Sequence, residues 1–330
     1  MNRRFPPLNP GVPLAVRRLR AGNPLALAAQ YGLPIWLRAD MGVTLGSTLL
    51  AEGTSPPVWT ISGTPTRQVG LHLEIDSVAG GTGLGQATYK WSENNGATYV
   101  ATGVVTAAGP TALGTTGLSV SQAAGPYNIN NKWDATVLAW ADQSGNGRNV
   151  AQGTPARQPK FILSDTTGRP SISGDGVDDF MNTASFATAQ PSTVFLVMKM
   201  VTVQSPGSNH DTVWSRGGTP FMLIDSTPRT ILSAGANITY AGAVANGAHA
   251  IIEMVLNGAS GELVENGVVR ASGDVGTDPG GLLTLFSLNV GIAHSVTANI
   301  SELIEFSSVL PAAVRASVRT RLSNIYGVAL

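Results

Sequence analysis

The sequence predicts an all-β protein built from sandwiches, with one helix at its C-terminal end. Three observations predict this class. Short runs rich in valine, isoleucine, threonine and aromatic residues recur along most of the 330-residue chain, and glycine, asparagine, aspartate and proline separate them. Asn-Gly pairs, which supply the positive φ angles of tight hairpins, are frequent. Many short strands with almost no helix are typical of sandwiches and jelly rolls.

The N-terminal segment, residues 1–32, differs from the rest of the chain. It contains five arginines, no acidic residue and repeated prolines, so we expect it to be extended and unable to bury a core of its own. One interpretation is a solvated terminus. The interpretation that we favour is an assembly arm that binds a neighbouring protein through its arginines, Arg3, Arg4, Arg17, Arg18 and Arg20.

Strand-like runs begin after Pro34 and continue almost to the end of the chain. The clearest cover residues 68–75, 87–92, 193–200, 251–256, 263–268 and 282–290. Asn-Gly pairs at 257–258 and 266–267 predict consecutive antiparallel hairpins within residues 253–270.

The C-terminal helix is predicted from its boundaries and its periodicity. Pro311 suits a first helical turn, and Gly327 is placed to end the helix. Between them, apolar side chains recur with a period of 3.6 residues, at Val314, Val318, Leu322 and Ile325. We expect this face to pack over one end of the last sandwich.

The composition changes near residue 53 and again near residue 132. Between these points the chain is very rich in glycine, threonine and alanine, and its length of about 80 residues suits a small β-sandwich. The sequence therefore predicts an arm over 1–32, a discontinuous larger domain over 33–52 and 133–330, and an inserted sandwich over 53–132.

Motifs in the larger domain resemble those of laminin-G-like, concanavalin A-like jelly rolls. The segments that carry the resemblance are 34–40 (PIWLRAD), 137–149 (VLAWADQSGNGRN), 174–180 (GDGVDDF) and 300–306 (ISELIEF), in the family's order. Gly174 departs from the aromatic or aliphatic residue that the family has at this position. The resemblance implies a jelly roll closed by a last strand and a terminal helix.

The insertion resembles small Ig-like β-sandwich modules of bacteriophage structural proteins. The resemblance rests on a hairpin at 85–98 (GQATYKWSENNGAT), which is similar to the modules' G-x-A-x-F/Y-x-W-S-x-D/N-G-G pattern. It implies a location in a virion, with other capsid or tail proteins as partners and assembly in several copies.

Composition and motif searches exclude several other classes of function. Twenty basic and twenty acidic residues leave a net charge of zero, so we expect neither nucleic acid nor membrane as a partner. The chain has no cysteine, Walker-A loop, zinc-binding histidine pair or Gly-x-Ser-x-Gly elbow. Glu302 and Glu305, three residues apart on a predicted strand, are interpreted as surface charges on opposite faces and not as a glycosidase pair. We therefore expect a protein that is not an enzyme.

A turn in the larger domain has part of a calcium-binding pattern. Asp142, Ser144 and Asn146 alternate as oxygen-bearing residues do in a calcium loop, but the twelfth position is Gly153, which has no carboxylate. Turn formation is the first interpretation and no cofactor is expected, with calcium as the alternative. A second turn offers three more carboxylates to a hard cation, those of Asp175, Asp178 and Asp179.

These observations predict a non-enzymatic bacteriophage virion structural protein. The arm would anchor it to the capsid or tail, and its β domains would form a decoration, spike or fibre element at the particle surface. The alternative is an adhesin for a host surface glycan, and a glycosidase ranks third. The candidate glycan-binding residues lie on predicted jelly-roll loops and strand ends: Asp142, Asn146, Asp178, Asp179 and Trp214.

Overall fold

The computed structural model of the protein describes residues 22–202, 210–288 and 294–330. Strands account for 41% of the residues and helices for 10%, which confirms the predicted all-β class. None of the described helices is long and apolar enough to cross a membrane. The predicted assembly residues lie outside the described ranges, namely Arg3, Arg4, Arg17, Arg18 and Arg20.

Two helices lie near the ends of the described chain, α1 (Pro24–Tyr31) and α2 (Ala312–Tyr326). The strands before the insertion are β1 (Ile35–Arg38), β2 (Val43–Leu45) and β3 (Leu50–Glu52). Those of the insertion are β4 (Trp59–Gly63), β5 (His72–Ser77), β6 (Thr88–Ser92), β7 (Ala101–Val105), β8 (Thr111–Ala112), β9 (Leu118–Gln122) and β10 (Lys132–Asp134). The remaining strands are β11 (Val137–Trp140), β12 (Val150–Ala151), β13 (Lys160–Ile162), β14 (Ser171–Ser173), β15 (Met181–Asn182), β16 (Ser192–Met200), β17 (His210–Arg216), β18 (Phe221–Asp225), β19 (Thr230–Ser233), β20 (Asn237–Tyr240), β21 (Ala250–Leu256), β22 (Gly261–Glu265), β23 (Val268–Gly273), β24 (Leu283–Leu285) and β25 (Ala298–Phe306).

Two large antiparallel sheets form the larger sandwich. One has eight strands in the order β13-β14-β25-β16-β21-β22-β23, with β1 also paired to β25, and the other has nine in the order β2-β11-β12-β15-β24-β17-β18-β19-β20. The central strand β16 is buried on both faces because alternate side chains point to different cores. Leu196 and Met198 face the core between the sheets, whereas Phe195 and Val197 lie beneath α2.

The insertion has a core of its own between a five-stranded sheet, β3-β10-β5-β6-β7, and a three-stranded sheet, β4-β9-β8. At its centre the rings of Trp59 and Trp133 are stacked with their centroids 4.0 Å apart, and Tyr89 meets Trp59 edge-on at 5.2 Å. Residues from Leu49 to Ala135 supply this core. The strands that enter and leave the insertion, β3 and β10, pair with each other.

Helix α1 corrects the expectation of an extended segment up to residue 32. The side chain of Asn23 accepts a hydrogen bond from the N–H of Leu25, which caps the first turn, and Pro24 suits that turn. At the other end Gly32, with φ of 65°, terminates the helix. Tyr31 packs against the core beneath α2, so residues 24–31 belong to the folded domain.

Helix α2 confirms the predicted C-terminal helix. Val318, Leu322 and Tyr326 are its buried apolar residues, and Gly327 ends it in the left-handed conformation with φ of 67°. The helix is also fixed by charge, because Arg315 Nη1 lies 2.8 Å from a buried carboxylate oxygen of Glu253 on β21.

Packing explains why position 174 is a glycine. A Cβ atom built on Gly174 would lie 2.7 Å from Cδ1 of Phe286 and 3.0 Å from the carbonyl oxygen of Val296. The fully buried ring of Phe286 therefore occupies the space that a side chain at position 174 would need.

Candidate functional site

The turn at 142–149 is held by hydrogen bonds within the fold. Asp142 Oδ1 accepts the N–H groups of Trp36 at 3.0 Å and Ser144 at 2.9 Å. Its Oδ2 accepts the Ser144 hydroxyl at 2.7 Å and the N–H of Arg148 at 3.1 Å. The Asn146 side-chain amide donates to the backbone just before β1. Four donors occupy the Asp142 carboxylate, so Asp142, Ser144 and Asn146 fit a structural turn and do not fit a calcium ion.

The second acidic turn concentrates negative charge. Within the described ranges, Asp175, Asp178 and Asp179 form the single cluster of potential metal ligands, with ligand oxygens within 4.8 Å of one another. Asp179 is only 3% exposed, and its burial, followed by the charge of Asp175, raises the pKa of its carboxyl to about 7. Burial and Asp175 also raise the pKa of Asp178. Ionisation of Asp178 and Asp179 is therefore less favourable than that of a free carboxyl group.

The backbone of this turn keeps the carboxylates together. Asp175 Oδ1 accepts the N–H of Val177 at 2.8 Å, and Asp179 Oδ2 accepts the N–H of Asp175 at 3.0 Å. Little positive charge lies beside these carboxylates, since Nε of the half-buried Arg157 is 3.9 Å from Oδ2 of Asp178. Oxygen ligands with little countercharge fit a hard cation such as calcium better than the turn at 142–149 does.

The structure does not bring the two predicted turns together. The turn at 142–149 precedes β12, and the acidic turn at 175–179 precedes β15. These strands are antiparallel neighbours with Ala151 opposite Asn182. Strands that run in opposite directions begin at opposite ends, so Asp142 and Asp179 do not share one site.

The structure contradicts the prediction that Trp214 binds a glycan. Its ring is fully buried in the core between the two large sheets, where β17 places it opposite Leu285 of β24. A ring stacks on a sugar only when one of its faces is accessible. The position near a predicted strand end was misleading because β17 is covered by the opposite sheet.

The interpretation of Glu302 and Glu305 as surface charges was wrong, since both side chains are buried. Glu302 accepts hydrogen bonds from Trp36 Nε1 at 2.8 Å, Arg321 Nη1 at 2.8 Å and the Tyr326 hydroxyl at 2.9 Å. Glu305 lies on the opposite face of β25, where burial raises the pKa of its carboxyl. The two carboxylates therefore cannot act across one cleft as a catalytic pair.

Glu305 faces Arg216, whose Nη2 lies 3.7 Å from Glu305 Oε1. Both side chains are almost completely buried, and burial lowers the pKa of the Arg216 guanidinium. Arg216 also lies against one face of the Phe186 ring at 4.2 Å, and Arg148 lies 4.0 Å from the same ring centroid. The cluster packs against the larger core through Phe186, and sequence reasoning missed it because its residues are distant in the chain.

Ionic contacts across the junction between the two sandwiches were also missed. Lys160 of β13 places Nζ 3.1 Å from Asp134 of β10 and also pairs with Glu52 of β3. Asp134 in turn lies 2.6 Å from Nδ1 of His72. Burial opposes ionisation of Asp134, but the bond to His72 and the charge of Lys160 keep its pKa below its usual value. The larger sandwich therefore contributes a cation to the edge of the insertion.

The chain is similar to several solved structures in fold, at low sequence identity. No family model and no curated protein matches the sequence. An arabinofuranosidase complexed with arabinofuranosyl-alpha-1,2-xylobiose is 10% identical with a TM-score of 0.47, covering 92% of this chain and 65% of that one. Trypanosoma rangeli sialidase in complex with sialic acid is 7% identical with a TM-score of 0.41, covering 84% and 53%. The binding domain of botulinum neurotoxin serotype D is 14% identical with a TM-score of 0.39, covering 57% and 49%.

These comparisons contradict the expectation that the protein is not an enzyme. The similar structures include glycoside hydrolases, an arabinofuranosidase and a sialidase. At 7–14% identity they establish no enzymatic activity for this chain, which spans about half to two thirds of their length. The neighbours are β-sandwich proteins that include glycosidases and a toxin binding domain, and the laminin-G-like and bacteriophage resemblances remain predictions.

Proposed function

We propose that the chain is a bacteriophage virion structural protein that displays two joined β-sandwiches at the particle surface. It would serve as a capsid decoration, spike or fibre element, held to other virion proteins by its N-terminal arm and present in several copies. The observation that carries this proposal is the docking of the hairpin that resembles phage modules. Asn95 at its tip donates from Nδ2 to the carbonyl oxygen of Phe161 at 2.7 Å and accepts the N–H of Leu163 at 2.7 Å.

The connections between the sandwiches support the same proposal. The N–H of Gly46 donates to the carbonyl oxygen of Thr136 at 2.9 Å, so the incoming and outgoing segments are paired with each other. The Lys160 ion pairs add a charged contact at the same junction. A display module must hold its domains at a fixed angle to the particle, and paired connections provide this better than a flexible linker.

Removal of the arm tests the anchoring part of the proposal. Because α1 packs on the core, the deletion should cover residues 1–21 and leave the helix in place. We expect the truncated protein to unfold at the same temperature as the full chain but to be missing from purified particles. Incorporation equal to that of the full chain would contradict an anchoring role for the arm.

A second candidate function, glycan binding through a calcium ion, is favoured by the acidic turn. Three carboxylates within 4.8 Å of one another, with one half-buried arginine beside them, suit a cation that also binds sugar hydroxyls. A glycan array probed with and without calcium tests this candidate. Binding should require calcium and disappear in Asp178→Asn, while Asp274→Asn, in another exposed turn, should bind as the unchanged protein does.

A further inference from the structure

A groove of about 590 Å³ lies between the two sandwiches. Its walls come from β2 and β11 of the larger sandwich, from β4 and β9 of the insertion, and from the segment 153–158. The residues that line it are aliphatic, proline, glycine, hydroxyl-bearing or amide residues, and none is charged or aromatic. Its volume is within the range of ligand-binding clefts.

One wall of the groove is an open strand edge. β2 is the terminal strand of the nine-stranded sheet, and Gly42 and Gly46 hydrogen-bond to the β11 side at 2.9 Å each. In an antiparallel ladder alternate residues point their backbone groups in opposite directions. Val43 and Leu45 therefore direct their N–H and C=O groups away from β11, and no residue of the described ranges pairs with them.

The opposite wall is a second open edge. β4 is the terminal strand of the three-stranded sheet, and only its first part is paired across to the segment after β2. There the N–H of Leu49 donates to the carbonyl oxygen of Trp59 at 3.0 Å, and that of Ile61 donates to Ser47 at 2.8 Å. Beyond Ile61 the segments separate. By the same alternation Gly63 turns its backbone groups to the groove, without a partner among the described residues.

The groove is therefore a fork between two edge strands, and its far end is fixed. Gln68 Nε2 donates to the carbonyl oxygen of Ala39 at 2.9 Å, beyond the end of β2. Hydrogen bonds hold both ends of the gap, whereas the backbone groups of Val43 and Leu45 along it have no partner in the described chain. Open edges of this kind accept an added strand.

We propose that this groove binds an extended, uncharged segment of another virion protein by β-strand addition. The N–H groups of Val43 and Leu45 would donate to the segment, and their carbonyl oxygens would accept from it. Peptide is favoured over sugar because the walls offer main-chain donors and acceptors but no aromatic ring. The source of the strand rests on the proposed virion function, whereas the strand addition itself does not.

The walls of the groove carry no charge, and Arg67, which lines a smaller cavity beside Val43 and Leu45, is paired with Glu93, so the lining restricts the occupant. A charged side chain buried in this groove would lose water and find no opposite charge, which is costly. An uncharged segment with threonine and valine side chains avoids that cost and has a strong preference for strands. Residues 5–16 of the chain's own N-terminal segment are uncharged, but their four prolines lack the N–H groups that an added strand donates, so this segment is a poor occupant.

A capped peptide, acetyl-Gly-Thr-Val-Thr-Val-Thr-Gly-amide, tests the inference by titration into the full chain. We expect saturable binding, with slower hydrogen exchange of the Val43, Leu45 and Gly63 amides. The same peptide N-methylated at alternate residues keeps its side chains but lacks half of its donors, and we expect at least tenfold weaker binding. Failure of the first peptide to bind, or equal binding of the second, would overturn strand addition.

Two tryptophan variants test the location. Ser62 is exposed on β4 and lines the groove, so Ser62→Trp should abolish peptide binding without changing the unfolding temperature. Thr239→Trp places the same side chain at an exposed position of β20, at the far edge of the sheet, and should bind normally. Unchanged binding by Ser62→Trp would overturn the proposed site. Binding of a peptide of residues 1–21 more tightly than the capped peptide would overturn the proposed occupant. Peptide binding by a chain that is missing from virions would contradict the virion function alone.

Discussion

Asn95 and Phe161 join the two sandwiches, because Asn95 Nδ2 donates to the Phe161 carbonyl oxygen at 2.7 Å. Asn95 is the first residue of an Asn-Gly turn and has φ of 56°. Its amide extends the hydrogen bonding of β13, a terminal strand of the eight-stranded sheet, and so replaces part of a neighbouring strand. A residue predicted only as part of a turn thus forms an interdomain contact.

Replacement of Asn95 by glycine should weaken this junction. Glycine keeps the positive φ but removes both hydrogen bonds, so we expect a loss of about 1 to 3 kcal/mol in the free energy of unfolding. Urea denaturation measures the loss, and limited proteolysis should show faster cleavage near residues 45–49. Asn237→Gly, at an exposed position of β20, is the control for removal of an asparagine side chain. Equal losses in the two variants would contradict a specific role for Asn95.

The acidic turn predicts a pH dependence of stability. The folded-state pKa of Asp179, about 7, lies above its unfolded value near 4, so this carboxyl contributes stability that is present below pH 4 and lost as the pH rises through 7. Asp179→Asn cannot ionise and should be more stable than the unchanged chain at pH 8, by about 2 kcal/mol, with little difference at pH 4. Urea denaturation at both pH values in a chelator measures this difference. A less stable variant at pH 8 would contradict the raised pKa.

The buried carboxylate of Glu302 should be essential for stability. Glu302→Gln leaves the buried guanidinium of Arg321 without its countercharge, and the expected loss is about 3 kcal/mol or more. Glu262→Gln is the control, because its bond to Arg315 is partly exposed and should be worth less than about 1 kcal/mol. Chemical denaturation of both variants tests the contrast, and similar losses would show that burial does not distinguish these two ion pairs.

The contact between Gly174 and Phe286 predicts non-additive substitutions. Gly174→Val should cost about 2 kcal/mol or more, because the added side chain overlaps the Phe286 ring. In the double variant with Phe286→Ala, the valine occupies vacated space, so the combined loss should be smaller than the sum of the single losses. Gly109→Val, at a glycine with open space around it, should have little effect. Strict additivity would contradict direct overlap.

Local signals explain which parts of the fold were predictable. Helix α2 was predicted because its cap and periodicity lie within 17 residues, from Pro311 to Gly327. The hairpin at Asn266 was predicted from its Asn-Gly pair, and the structure gives Asn266 the positive φ, 49°, that such a turn requires. The hairpin at Asn257 was also predicted correctly, since β21 and β22 pair, but its turn differs, because Asn257 has φ of −151° and a 3-10 turn, Gly258–Ser260, follows it.

Long-range pairing explains which parts of the candidate site were not predictable. Glu302 is buried because Trp36, 266 residues earlier, donates to it, and no local pattern encodes that contact. Trp214 is buried because the opposite sheet covers β17. Helix α1 is a different case: it was not predicted, because the prolines and arginines around it favoured an extended arm, although its cap at Asn23 is a local feature.

The most direct test of the virion proposal is immunogold electron microscopy with an antibody against residues 133–330. It should be applied to particles purified from cells that produce the chain, and to particles made with the chain truncated at residues 1–21. We predict label at a fixed position on the first particles, over the head for a decoration and at the tail for a fibre, with none on the second. Unlabelled first particles, with the protein present in the same lysate, would contradict the account.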